Sequence, residues 1–175
     1  MNPLPVASEL HRIFSSLRLT EPPFSIADVL AHLFPEVQIG ARRMKNCASM
    51  LEVYDGPLAD GTRAFISYDP MLSRGARRFF VAHELAHWIF DYSRRPEWDP
   101  ADGAWRPLSE RRADFFASGF LVPSWCLHPM VDFYLDDPSF ERRVARLARR
   151  FVVANYHMKA RVFDLYLFRR FSIHV

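Results

Sequence analysis

The chain has 175 residues, 50% of them hydrophobic, 15% aromatic and 25% charged. That is enough apolar material for one core and too little length for two comfortable ones, and it excludes a disordered or fibrous chain. The net charge of +3 neither demands nor forbids an acidic partner.

Met1 to Phe14 lacks a basic cluster leading into an apolar run, so no secretory signal is visible. No apolar run approaches the ~20 residues that a bilayer span needs. A cytoplasmic protein with no membrane partner is expected, and Cys47 and Cys126 read as free thiols in a reducing compartment.

In chain order, Val6 to Leu17 has helical spacing and is stopped by Thr20-Glu-Pro-Pro23. Ser25 is placed to cap a second, short helix that runs to about Phe34, before Pro35. Ser49 to Tyr54 and Arg63 to Tyr68 are β-rich stretches with turn residues between them, which predicts a hairpin. Ser73 to Asp91 is the strongest helix. It is apolar on nearly every side from Phe79 to Phe90, as befits a helix threaded through a core. A long loop from Tyr92 to Pro107 follows, then a helix capped by Ser109 that runs to about Leu121. Helices at about Ser124–Leu135, Ser139–Phe151 and Asn155–Phe168 complete the chain, with Asp137-Pro138 as the start signal of the second of these. The expected class is α+β, mostly helical, with one small antiparallel sheet and a helical C-terminal part.

The core helix contains His83-Glu84-Leu85-Ala86-His87. Residues four apart share a helix face, so both imidazoles can converge on one metal ion, and zinc accepts imidazole nitrogen readily. Manganese or iron also suits such donors. Glu84 stands about 100° around the helix from His83, placed to take a proton from water that the metal has made acidic. Two histidines and a carboxylate surrounded by Phe79, Phe80, Val81, Leu85, Trp88, Ile89 and Phe90 would cost several kcal/mol to bury without partners. A satisfied pair of core histidines is therefore the weaker reading.

A catalytic zinc takes three protein ligands and keeps one position open. Glu110 is the candidate third ligand. Asp114, four residues on, shares its helix face and can accept the free N–H of a ligating histidine. Asp91 is the runner-up, and Glu97, Asp99, Asp102 and His128 also compete. Tyr54, Tyr68, Tyr92 and Arg78 are the candidate oxyanion donors.

Three segments carry a resemblance to the ImmA/IrrE family of bacterial metallopeptidases: Arg78-Phe-Phe-Val-Ala-His-Glu-Leu-Ala-His87, Glu110-Arg-Arg-Ala-Asp-Phe-Phe-Ala117 and Phe120-Leu-Val-Pro123. Leu147 to Val153 and Met158 to Val162 are more weakly similar to a helix-turn-helix-like tail of that family. The resemblance implies a zincin-like core helix, a metal-binding core over about 25–135 and a tail over about 138–168 of a single domain spanning 1–175. It implies Glu110 as third ligand, Glu84 as base, a zinc cofactor and a protein substrate; several family members cleave a helix-turn-helix repressor. Ala86 stands where the family mostly has Gly, Ala154 where the tail usually has Ser, and His157 where it has Ala.

Two other readings compete with the endopeptidase. A non-enzymatic regulator would bind DNA through the basic stretch holding Arg142, Arg143, Arg146, Arg149 and Arg150, with Asn155, Tyr156 and His157 facing bases. A solvated helix surface explains those arginines as well, so direct nucleic-acid binding is not expected. A zinc-stabilised interaction module, such as one partner of a toxin–antitoxin pair, would need a fourth ligand, for which Cys47 is the candidate and which could also latch an enzyme shut.

Overall fold

The computed structural model describes residues 4–92, 106–133 and 135–171. The first helix, α1 (Leu4–Leu17), buries Val6 and Ile13 and rests Leu10, Phe14 and Leu17 against the core. α2 (Ile26–Leu33) starts at Ser25, whose hydroxyl accepts the Asp28 backbone N–H at 3.1 Å, and buries Ile26, Val29 and Leu30. Both helices follow the expected bounds closely.

The hairpin forms as expected from β2 (Ser49–Val53) and β3 (Ala64–Tyr68), paired antiparallel with Leu51 opposite Ile66. A third strand, β1 (Val37–Ala41), joins the other side of β3 in parallel, with Ile39 opposite Ile66. The sheet is therefore mixed, in the order β1-β3-β2. The central strand has both neighbours and buries Ala64 and Ile66, whereas β2 is an edge.

α3 (Arg74–His87) lies between this sheet and α4 (Arg106–Leu121) and touches both. Ser73 caps it by accepting the Ala76 N–H at 3.3 Å. Phe79, Val81, Ala82, Leu85 and Ala86 are buried, which bears out a helix threaded through the core. Its last residues widen into a π-helical turn, Trp88–Tyr92. Wider turns of this kind re-aim side chains and often accompany functional sites. α4 starts earlier than expected, and Ser109 is an interior residue of that helix rather than its cap. Phe116 and Phe120 stack on its buried face, and Phe14 of α1 stacks on Phe120 at 5.8 Å between ring centres.

α5 (Ser124–Leu127) runs into a 3₁₀ turn, His128–Met130, and stops there, short of the expected Leu135. Pro129 lacks the N–H that a longer helix would need. α6 (Phe140–Phe151) follows Asp137, whose carboxylate accepts the Ser139 N–H at 2.7 Å, and packs on α7 (Asn155–Phe171). The class is α+β and mostly helical. Among the described residues no helix is long and apolar enough to cross a membrane. Glu97, Asp99 and Asp102 lie outside the described residues.

Gly75 shows how tightly α3 sits on the C-terminal helices. A methyl group there would lie 2.6 Å from both Val153 C and Ala154 N, backbone atoms of the α6–α7 connection. Backbone cannot swing aside as a side chain can. Gly75→Ala is therefore expected to cost about 1–3 kcal/mol of stability, read as a lower urea midpoint; an unchanged midpoint would mean that no such close approach exists.

Candidate metal centre

α3 presents His83 and His87 on one face, and α4 brings Glu110 to meet them. The two Nε2 atoms stand 3.1 Å apart, with the Glu110 carboxylate 3.1 Å from that of His83 and 3.6 Å from that of His87. All three candidate ligand atoms fall within 4.8 Å of one another. Bonds of about 2.1 Å in a tetrahedron separate neighbouring donors by about 3.4 Å, close to the spacing found here.

The outer ring nitrogens are also committed. His83 Nδ1 donates to Asp114 Oδ1 at 2.9 Å, and His87 Nδ1 donates to Asp91 Oδ2 at 2.7 Å. A carboxylate only accepts, so each neutral ring carries its proton on Nδ1 and turns a lone pair inward at Nε2. Two lone pairs and a carboxylate facing one another repel unless a cation sits among them. The donor set and its spacing therefore fit a divalent metal, zinc first among them.

Asp91 does more than the sequence suggested. Its carboxylate also accepts from Ser109 Oγ and pairs with Arg112 on α4. It is thus a hub behind His87 rather than the competing ligand. Burial opposes its charge, but the bonds from His87 and Ser109 and the nearby Arg112 outweigh that and hold its carboxyl below the usual range. Burial likewise opposes a charged His87, yet Asp91, Glu110 and Glu84 together raise it. Asp114 lies on α4 with its carboxylate against the His83 ring. Ser109, Arg112 and Asp91 were invisible as a set because their meeting depends on how α4 lies against the π-helical turn.

Glu84 stands beside the trio and accepts a bond from Ser49 Oγ of β2 at 2.6 Å. The rings are 13% and 14% exposed, whereas Glu110 is 54% exposed, so the centre opens on the α4 side. Cys47 is exposed with its thiol 3.4 Å from Met44 Sδ; it is not among the convergent donors, nor is His128. Tyr68 and Arg78, two of the candidate oxyanion donors, line a cavity on the opposite face of α3.

The family model described as the IrrE N-terminal-like domain, Peptidase_M78, matches residues 35–162. The chain belongs to that family. Among solved structures, a Mycobacterium tuberculosis transcriptional regulator is similar, with a TM-score of 0.58 and 16% identity over 87% of this chain. The likeness is one of fold, and the chain spans 44% of that regulator's length. Comparison with curated proteins gives no significant match.

His157 of α7 turns toward α3. Its ring stacks on Phe79 of α3 at 3.7 Å, so it is not available to face bases. Arg142, Arg146, Arg149 and Arg150 are exposed, as on a solvated helix surface, while Arg143 bonds Asp132 and Ser139. Burial pushes the His157 imidazole down to about 4, only partly offset by Asp114.

Asp91→Ala leaves Arg112, Ser109 and His87 without their acceptor and should both destabilise the protein by about 2–4 kcal/mol and weaken zinc binding. Asp114→Ala, at an exposed position, should weaken zinc roughly 10–100-fold with stability nearly unchanged; chelator competition and urea unfolding read the two quantities separately. For His157, the unfolded chain takes up a proton near pH 6.5 and the folded chain only near 4. Its contribution to stability is thus intact above that window and lost as pH falls through it. His157→Phe should hold its stability better than the parent between those pH values, and parallel acid limbs in unfolding titrations would refute this.

Proposed function

We propose that this chain is a zinc-dependent endopeptidase that hydrolyses a peptide bond in a protein substrate. The observation that carries the reading is the convergence of His83 Nε2, His87 Nε2 and the Glu110 carboxylate, with a second carboxylate, Glu84, beside them and outside the ligand set. His83, His87 and Glu110 hold the metal, and the bound metal would acidify water and polarise a carbonyl.

The rest of the chemistry falls to the chain's own groups. Ser49 engages Oε1 of Glu84, which fixes the carboxylate and leaves Oε2 to take a proton from the attacking water. The same carboxylate then returns the proton to the departing amine. Asp114 and Asp91 keep both imidazoles in the tautomer that ligation needs. Ser49 belongs to the edge strand β2, so an extended peptide can lie along that strand with its carbonyl near Glu84.

Family membership supports a protein substrate, and a helix-turn-helix repressor is the substrate we assign. The shared fold with a protein described as a transcriptional regulator agrees with a role in gene regulation. Zinc-loaded protein, incubated in ¹⁸O water with such a repressor and with a proteome-derived peptide library, should generate new C-termini carrying the label. Glu84→Gln should keep the metal and lose roughly 10²–10⁴-fold in rate. Equal labelling by the variant would remove Glu84 from the role of base, and no labelling by the parent in either pool would reject the peptidase.

A further inference from the structure

The face of α3 opposite the metal lines a cavity of about 440 Å³. Arg74, Arg78 and Val81 recur at helical spacing, with Arg77 alongside, roughly half a turn from His83 and His87. Pro23, Ser25, Ile26 and Ala27 at the start of α2, Ile39 of β1 and Tyr68 of β3 form the other walls. The volume falls in the range of small-molecule sites, about 300–1,000 Å³.

The cavity holds three guanidinium groups and no carboxylate. Among the described residues none of the three forms an ion pair. Arg78 donates through Nη2 to the Phe24 carbonyl at 2.8 Å, but its Nε–H is buried without an acceptor. Arg77 lies over the Tyr68 ring at 5.9 Å, and its Nε–H is likewise buried and unmatched. Burial and the neighbouring Arg74 push the Arg78 guanidinium down to about 10, so positive charge here is costly as it stands. Arginines that merely drape over apolar surface keep their heads in water. Two buried unmatched donors in a cationic, partly apolar cavity need an anion instead.

We propose that this cavity binds a small organic anion, its carboxylate or phosphate on the Arg74, Arg77 and Arg78 side and its carbon chain against Ile26, Ile39 and Val81. The site is separate from the metal centre and does not rest on the peptidase reading. Guanidinium forks bind either head group, and the apolar wall selects for an attached chain over the bare ion.

The test is calorimetric titration of the full chain, metal-free and zinc-loaded, with hexanoate, hexyl phosphate, hexanol and inorganic phosphate. One of the two amphiphilic anions should saturate a single site at about millimolar concentration or below, in both metal states, while hexanol and inorganic phosphate bind far more weakly. Arg74→Glu and Ile39→Glu alter exposed side chains, Ile39 being 40% exposed, so folding should survive and circular dichroism verifies it. Each places a negative charge at the cavity and should weaken binding roughly tenfold or more. Absence of saturation by both amphiphilic anions, inorganic phosphate binding as tightly as hexyl phosphate, or unchanged affinity in both folded variants would each overturn the proposal.

Discussion

An imidazole set into an apolar helix has two nitrogens, and both need partners if the ring is to be held still. In this protein the outer nitrogens of His83 and His87 go to carboxylates, and this leaves the inner two facing one another across 3.1 Å. The acceptors come from different places: Asp114 from α4 and Asp91 from the π-helical turn that ends the same helix as the histidines. Asp91 in turn bonds Ser109 and Arg112 of α4. The ring tautomers and the docking of α4 on α3 are thus one network, and Glu110 reaches the inner nitrogens because α4 is fixed in that position.

That network also distributes exposure in a useful way. Asp91 is buried, so its charge must be matched by groups that cannot leave, whereas Asp114 and Glu110 sit on the open side. A buried hub behind one histidine and an exposed acceptor behind the other give different consequences on removal. Loss of the hub uncovers several polar groups at once. Loss of the exposed acceptor lets water take its place at one ring nitrogen.

Much of this was legible in the residues. The His83–His87 spacing, Glu84 between them, and Glu110 four before Asp114 all rest on helix geometry, which holds wherever the helix forms. The cap at Ser25, the helix start at Ser73 and the stop at Pro35 depend on neighbours in sequence and came out close to their places. What depended on distant contacts was not legible. β1 is five residues containing Gln38 and Gly40 just after Pro35, and its pairing is parallel, so no turn signal announces it. Ser109 has the chemistry of a cap, but its hydroxyl is taken by Asp91, a tertiary contact that overrides local preference. Asp91, four residues past His87, reads from sequence as the runner-up ligand. Spacing alone could not say whether its carboxylate would reach a metal or the back of a ring.

α3 now has two chemically distinct faces on one rod. It is pinned at its start by the Ser73 cap and by the contact of Gly75 with the α6–α7 connection, and at its end by the bonds of Asp91 to α4. A ligand can shift a distant site only by favouring one of two accessible arrangements. With both ends of the rod anchored, an anion on the arginine face would meet the start of α2, Ile39 of β1 and Tyr68 of β3, and none of these supplies a donor to the metal trio. The two faces are therefore expected to act independently, sharing a scaffold and not an equilibrium.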